Sequence, residues 1–593
     1  MAAPANAQRE LDLIEKVEWR ILSASSDEAK LQDLLKVYLA PLLLKAGSEH
    51  VSVRNKVIST CQTINKLVKS PGLVLPVAAL LDQFKATEHP LIRHFDLIYI
   101  QHSVGKLGAD EHRALVPKAL RGISKGATAS TSQLFNVVLR MLGAVKIPSR
   151  GSKEDAEFRE AMGLQDPEDA RFVADWFGKL LLLKTNVTGQ APSPGMSESD
   201  ISFLTLGKPT VWDPAAGGLN LAETRIQVVN LLASGAFTDE ERFVPAIYAA
   251  SSSDYRISNV GDDLLKRSTV SLEDKALVQQ LYKAHSALPA PYRIRILGIL
   301  SKSAIATTFT DEILSVFQQN VDPSPESSDA MQIDDQPAVK VSGRERYKLH
   351  QALFEFINWV ARIGSGKTEY NKIGPPLVNL LRDFIRDQGW PRPTVQSLDV
   401  SSLRSRVYET IGILAKGASM SDSERLSLAG WLFRSLSEDP TSDIVVPIDG
   451  ALSSLASVFK PPHSFPLNTQ LQSILLTYMT LKDDDGEVVR SARHAVTKWA
   501  NNCLQFSDVL ARWIDILAIA GRLDERSDVI EEGHRGLDPW TYYANDDRTG
   551  ALPDWKEMVQ MFFKEPITPL NAASILVDRG RGVNADDKGP FCS

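Results

Sequence analysis

Residues 25–70 read SSDEAKLQDLLKVYLAPLLLKAGSEHVSVRNKVISTCQTINKLVKS, and two apolar stripes run through them. Leu31, Leu34, Leu35, Tyr38, Leu39, Leu42 and Leu43 recur every three or four positions, the spacing that gathers side chains on one face of a helix. Ser25 and Glu28 stand ahead of this run at capping-box spacing. Gly47 permits a turn, and Val53, Val57, Ile58, Cys61, Ile64 and Val68 then form a second face that Pro71-Gly72 ends. Pro41 deletes a hydrogen bond inside the first helix and is expected to kink it. A lone hairpin cannot hide both stripes. It needs a similar hairpin on either side, so the stretch reads as a repeat unit.

Related units follow along the chain. HEAT-type repeats are helix pairs of roughly 40–47 residues. Their second helix often opens with a polar turn followed by an aliphatic residue and an arginine. That pair appears here as Val53-Arg54, Ile92-Arg93, Leu403-Arg404 and Val489-Arg490, with weaker echoes at Arg256 and Arg293. Leu467, Leu471 and Leu475 take the parts of Leu31, Leu35 and Leu39 in a later hairpin at 467–503. The arginines are expected to form a ladder, each reaching acids on a neighbouring turn or repeat; the plainer reading is a solvated residue of good helix propensity. The best strand-like run, Leu73–Val77, is short and contains Pro76. The expected class is therefore all-α, an α-solenoid of degenerate HEAT-like hairpins in the armadillo/HEAT manner.

The expected organisation is helical repeats over 8–184, a loop-rich insertion at 185–219, and repeats again over 220–320. An acidic loop at 321–343 (from Asp322, DPSPESSDAMQIDDQPAVKVSG) comes next, low in large apolar residues and expected to be disordered. Repeats resume over 344–532, and 533–593 reads as a turn-rich, partly disordered tail. Ser324, Ser327 and Ser328 lie among acids, a setting compatible with phosphorylation.

Composition narrows the function classes. At 593 residues with 43% hydrophobic and 23% charged side chains, the chain can bury a large core. Its net charge of −7 argues against nucleic acid, whose phosphates need a basic face. No apolar run approaches the roughly 18 residues that span a bilayer. Cys61, Cys503 and Cys592 are too few and too scattered for a disulfide framework or zinc cluster. With no signal-peptide pattern between Met1 and Gln8, the expected location is cytoplasmic and nuclear.

Four constellations suggest chemistry, and each has a structural reading. Gly364-Ser365-Gly366-Lys367-Thr368 ends like a phosphate-binding loop, but Ala361 occupies the place of its first glycine and a helical pattern, not a strand, precedes it. Gly122-Ile123-Ser124-Lys125-Gly126 spells the nucleophile elbow without a strand leading in, and reads as a glycine-bounded helix end. His89, His94, His102 and His112 match no zinc spacing, and Asp483-Asp484-Asp485 fits a helix-opening turn better than a calcium loop. No catalytic, cofactor-binding or metal residue is assigned, no cofactor is expected, and the binding residues stay unknown. An ATPase or hydrolase is a remote alternative resting on the first two motifs.

QRELDLIEKVEWRI from Gln8, YLAPLLLKAGSEHVSVRNKVISTCQTINK from Tyr38, LPVAALLDQF from Leu75 and HPLIRHFDLIYI from His89 come in an order that resembles one family. It is the large proteasome-associated HEAT-repeat adaptor and scaffold, the "extracellular mutant" proteasome component. LRSRVYETIGILAKG at 403–417 and RGLDPW at 535–540 add to the likeness, which spans roughly Gln8 to Trp540, the family's N-terminal domain. The resemblance implies a non-enzymatic protein that joins the proteasome core particle to its regulatory particle and serves assembly quality control. It also implies possible trafficking-related protein partners. Family members are much longer solenoids. Another HEAT-repeat adaptor, in nuclear transport or vesicle coats, is the alternative within the binding class.

Overall fold

The computed structural model describes residues 3–68, 72–184, 193–321, 343–364, 369–392, 397–438, 441–459 and 463–479, with positions 70, 367, 495, 496, 499 and 503. All regular structure among them is helical. The chain divides into two compact units: residues up to Ser271 with Ala287–Tyr292, and Leu272–Ser286 with the residues from Arg293 onward.

The first unit begins with α1 (Ala3–Ser23), α2 (Glu28–Leu44), α3 (Val51–Leu67), α4 (Val77–Ala86) and α5 (Pro90–Val104). It continues with α6 (Ala109–Leu120), α7 (Thr128–Met141), the one-turn α8 (Lys153–Ala156) and α9 (Phe158–Ala161), and α10 (Pro167–Leu182). Then come α11 (Glu198–Thr205), α12 (Leu221–Leu232), α13 (Asp239–Ala250) and α14 (Tyr255–Arg267). Neighbours in sequence are neighbours in space: α1 lies on α3, α4 on α5, α5 on α7, and α13 on α14. Both stripes of the opening hairpin are indeed buried. Leu35, Leu39, Leu43, Val53 and Val57 are fully covered, each contributing about 1.5–3 kcal/mol on burial. They belong to one apolar core that runs from Ile14 to Phe237. Within it Trp176 stacks on Phe203 at 3.6 Å between ring centroids.

Three local expectations change. The cap of α2 is Asp27, whose carboxylate accepts from the Lys30 amide at 3.1 Å. Because α1 runs to Ser23, the turn pushes the start of α2 to Glu28, and Glu28 instead accepts from the Ser70 hydroxyl. The place of Pro41 also differs from the mid-helix one read from sequence: it sits in the last turn of α2, which continues through it to Leu44. The donor lost there would have served the Val37 carbonyl, one turn back on the exposed face, where water can replace it. Finally, the stretch read as loop-rich holds α11, opened by a Ser197/Asp200 capping box. Trp212 is buried there, its indole donating to the Leu204 carbonyl at 2.9 Å.

The second unit contains most of α15 (Lys275–Ala287) and α16 (Ala290–Leu300), then α17 (Thr310–Val321), α18 (Gly343–Gly364) and α19 (Tyr370–Asp387). After these come α20 (Leu398–Gly417), α21 (Asp422–Glu438), α22 (Ser442–Ala456) and α23 (Phe465–Met479). Two layers form. Helices α18, α20 and α22 stack in succession, while α17 packs on α19 and α21 on α23. Leu471 is fully buried, as Leu35 is in the opening hairpin. Each unit is thus a run of stacked helical hairpins, the all-α solenoid arrangement. The acidic loop from Asp322, Asp483-Asp484-Asp485, the Val489-Arg490 pair and the tail lie outside the described residues.

Glycine allows close helix contacts at two positions. A Cβ on Gly261 of α14 would stand 2.3 Å from the Ala250 amide nitrogen of α13, and one on Gly412 of α20 would meet the Ala451 backbone of α22. Gly261→Ala is therefore expected to destabilise the first unit by about 1–3 kcal/mol through overpacking. Gly298, with open space around it in α16, is the control: alanine there should be neutral or stabilise by up to about 1 kcal/mol. Urea titration followed by circular dichroism measures both.

Candidate functional site

The motifs that resembled enzyme signatures resolve into helix ends. α18 leads into Gly364, the Lys367 amide donates back to the Gly364 carbonyl at 3.0 Å, and α19 follows. A phosphate loop needs a strand before it and a helix start behind it. Here Gly364 ends a helix. Gly122 adopts φ +73°, the left-handed conformation typical of a residue just past a helix end. Ser124 meets no histidine base. Its amide and hydroxyl, with the Gly122 amide, donate to the buried carboxylate of Asp169 at 2.6–3.0 Å. That carboxylate holds the α6–α7 turn against the start of α10. His112 contacts the Val104 carbonyl at 2.6 Å, and His94 packs against Phe95 at a tilt, with 5.9 Å between ring centroids. No group of three metal-ligating side chains occurs among the described residues.

Arg54 and Arg93 differ from the expected ladder of contacts with acids on a neighbouring turn or repeat. Arg54 donates to the Ser48 and Glu49 carbonyls at 2.7 and 3.0 Å, and Arg93 to the Thr87 carbonyl at 2.7 Å. Each reaches back to the turn that opens its own helix. Arg93 also lies 5.2 Å from the Phe84 ring. Arg293 donates to the Gln319 carbonyl, and Arg256 pairs with its own cap, Asp254. The physical reason is local. The carbonyls ending one helix lack partners and carry the negative end of its dipole, so a guanidinium one turn into the next helix meets them first. Arg404 fits the expectation: it reaches Asp443 at the start of α22.

Arg404 also braces one side of a groove in the second unit. It donates to the Pro391 carbonyl and so pins the Trp390-Pro391 segment after α19. Trp390 packs edge-on against Phe384 at 5.6 Å, and Arg392 donates to the Glu438 carbonyl at the end of α21 at 2.6 Å. The segment spaces α19 from α21, and a groove of about 640 Å³ opens between them. Arg382, Arg386 and Arg434 line it with Trp390 and Trp431. Arg382 lies over the Trp431 ring at 5.4 Å, and Tyr408 stacks on the same indole at 5.7 Å. The lining contains neither histidine nor cysteine. Sequence reading missed this groove because its arginines and tryptophans come from separate hairpins; the usable signal was two tryptophans, each close to an arginine.

A protein of stacked helical hairpins, with binding surfaces and no assembled catalytic set among the described residues, is the class this geometry defines. The family model described as "Proteasome component ECM29, N-terminal" matches residues 14–518, and the chain belongs to that family. It is 25% identical to the Saccharomyces cerevisiae protein named Proteasome component ECM29, over 92% of this chain. It is 21% identical to the Homo sapiens Proteasome adapter and scaffold protein ECM29, over 94% of this chain. The chain covers 30% of the length of each of these two relatives. A Drosophila melanogaster relative, Proteasome-associated protein ECM29 homolog, is 28% identical over 42% of this chain and 13% of its own length. Among solved structures, the crystal structure of SYS-1 covers 91% of this chain and 99% of its own, with 12% identity and a TM-score of 0.28. The fold assignment rests on the helices themselves.

Proposed function

We propose that this chain is a non-enzymatic, proteasome-binding part of an adaptor that holds the core and regulatory particles together and serves assembly quality control. The observation that carries this reading is the family match over residues 14–518. The printed names of the yeast and human relatives, a proteasome component and a proteasome adapter and scaffold, point the same way. Stacked hairpins suit the task, since each repeat contacts only its neighbours and leaves long surfaces for large partners. The adaptor works in the cytoplasm and nucleus, where proteasomes and trafficking-related partners are both within reach. No described helix is long and apolar enough to cross a membrane.

Affinity capture with the tagged 593-residue chain, read by quantitative mass spectrometry, tests the reading. Core and regulatory subunits should be enriched together and fall away in parallel as salt is raised. Their joint absence, with the chain shown folded by circular dichroism, would overturn it. Enrichment of transport receptors or coat subunits in their place would favour a different helical-repeat adaptor.

A further inference from the structure

The groove between α19 and α21 holds more positive charge than its own chain satisfies. Arg386 is committed to Asp383 at 3.0 Å and Asp387 at 3.4 Å. Arg434 is exposed and makes no ion pair among the described residues, although Glu438 follows one turn later on α21. Arg382 spends the face of its guanidinium on Trp431, and stacking of that kind leaves the N–H edge available for a carboxylate. Trp431 is half-buried and braced by Tyr408, so a ligand meets a fixed wall. The floor is equally fixed, through the Arg404–Pro391 and Arg392–Glu438 contacts. Two uncommitted guanidinium groups beside a rigid aromatic surface make a preorganised site.

We infer that this groove docks an acidic peptide segment of a protein partner, with carboxylates on Arg382 and Arg434 and an apolar side chain against Trp431. Charge complementarity selects this occupant. Guanidinium forks match carboxylates in paired hydrogen bonds, and stacked arginine keeps that geometry. A nucleic-acid strand would need a continuous basic track, whereas Asp383 and Glu438 interrupt this one in a chain of net charge −7. The groove's own side chains define this site, whichever large partner the solenoid holds.

Fluorescence anisotropy with the full chain provides the test. The probe is a fluorescein-labelled peptide of alternating Glu and Asp around a central Phe. It should bind the unsubstituted chain, and Arg434→Glu should weaken binding about ten-fold or more by turning an attraction into repulsion. Arg434→Lys, which keeps the charge but loses the fork, should fall between. Arg434 is exposed, so the melting curve of Arg434→Glu should be unchanged and separate lost binding from lost folding. Equal affinity for the substituted and unsubstituted chains would overturn the proposal. So would equally tight binding of a lysine-substituted peptide or of a single-stranded oligonucleotide of matching charge.

Discussion

Replacing Arg404 with alanine should destabilise the second unit by about 3–5 kcal/mol, the cost typical of stranding one partner of a buried ion pair. Its side chain is 5% exposed and that of Asp443 15%, so water cannot take over from the lost partner. The guanidinium Nε donates to Asp443 Oδ2 at 3.0 Å, Nη2 reaches the same oxygen, and Nη1 serves the Pro391 carbonyl. Burial by itself would raise the pKa of the Asp443 carboxyl. Hydrogen bonds from Thr441, Arg404 and Ser401 outweigh it and hold the group below its ordinary range. Arg404→Lys should rescue little, because an ammonium cannot span the carboxylate and the carbonyl together. Adding Asp443→Ala to Arg404→Ala should cost less than the sum of the single changes, since the stranded charge is then gone. Urea titration of the four proteins measures this. A loss below about 1 kcal/mol for Arg404→Ala would mean that the pair behaves like an exposed one. The same substitution releases the Trp390 segment, so the α19–α21 groove should lose its acidic ligand as well.

Acidification should weaken the second unit and, over part of the same range, strengthen the first. His285 and His350 are buried, with Asn320 Nδ2 3.0 Å from His285 Nε2 and no partner for His285 Nδ1 or His350 Nε2. Burial, helped by the Arg293 charge, pushes His285 down from 6.5 to about 3. Burial, helped by Arg346, pushes His350 down to about 4. The unfolded chain therefore binds protons below pH 6.5 that the folded unit refuses. Stability is full above 6.5 and falls as pH drops toward 4 and 3, by up to about 1.4 kcal/mol per unit of depression.

Asp96 in the first unit has the opposite sign. It is fully buried, with Oδ1 accepting from Gln83 at 3.1 Å and Oδ2 unpartnered. Burial raises it from 3.8 to about 7, only partly offset by the Gln83 bond. The folded unit thus takes up a proton that the unfolded chain declines, and gains stability as pH falls from 7 toward 3.8. Asp96→Asn keeps the acceptor for Gln83 and removes the charge. It should stabilise the first unit at pH 8 by about 2–4 kcal/mol and flatten its pH dependence. Thermal unfolding of the wild type, Asp96→Asn and His285→Phe between pH 5 and 8 checks both signs. A first unit whose melting is the same at pH 6 and pH 8 would contradict the Asp96 assignment.

Periodicity is a local property, and what was legible in the sequence was local. The two faces of the opening hairpin could be read because Leu31 to Val68 carry their own three-and-four spacing. The glycine-bounded helix ends at 122–126 and 364 were legible for the same reason, since glycine punctuates a helix wherever the chain later goes. The arginine contacts were not, because a guanidinium takes the nearest unpaired carbonyls and turn geometry decides which those are. The α11 segment was hidden by the Pro and Gly around it, although Ser197, Asp200, Phe203 and Leu204 carried a cap and an apolar pair. Two groups needed tertiary structure to appear. Arg382 meets Trp431, and His285 meets Asn320, only after separate hairpins have stacked.

The function proposed for this chain, joining the core and regulatory particles of the proteasome, has a direct biochemical signature. Purified core particle, regulatory particle and the 593-residue chain, resolved by native gel under conditions where the two particles separate, test it most directly. A band containing all three components is expected, with the two particles staying associated longer as the chain is added. Migration of the folded chain apart from both particles, with their dissociation unchanged, would contradict it.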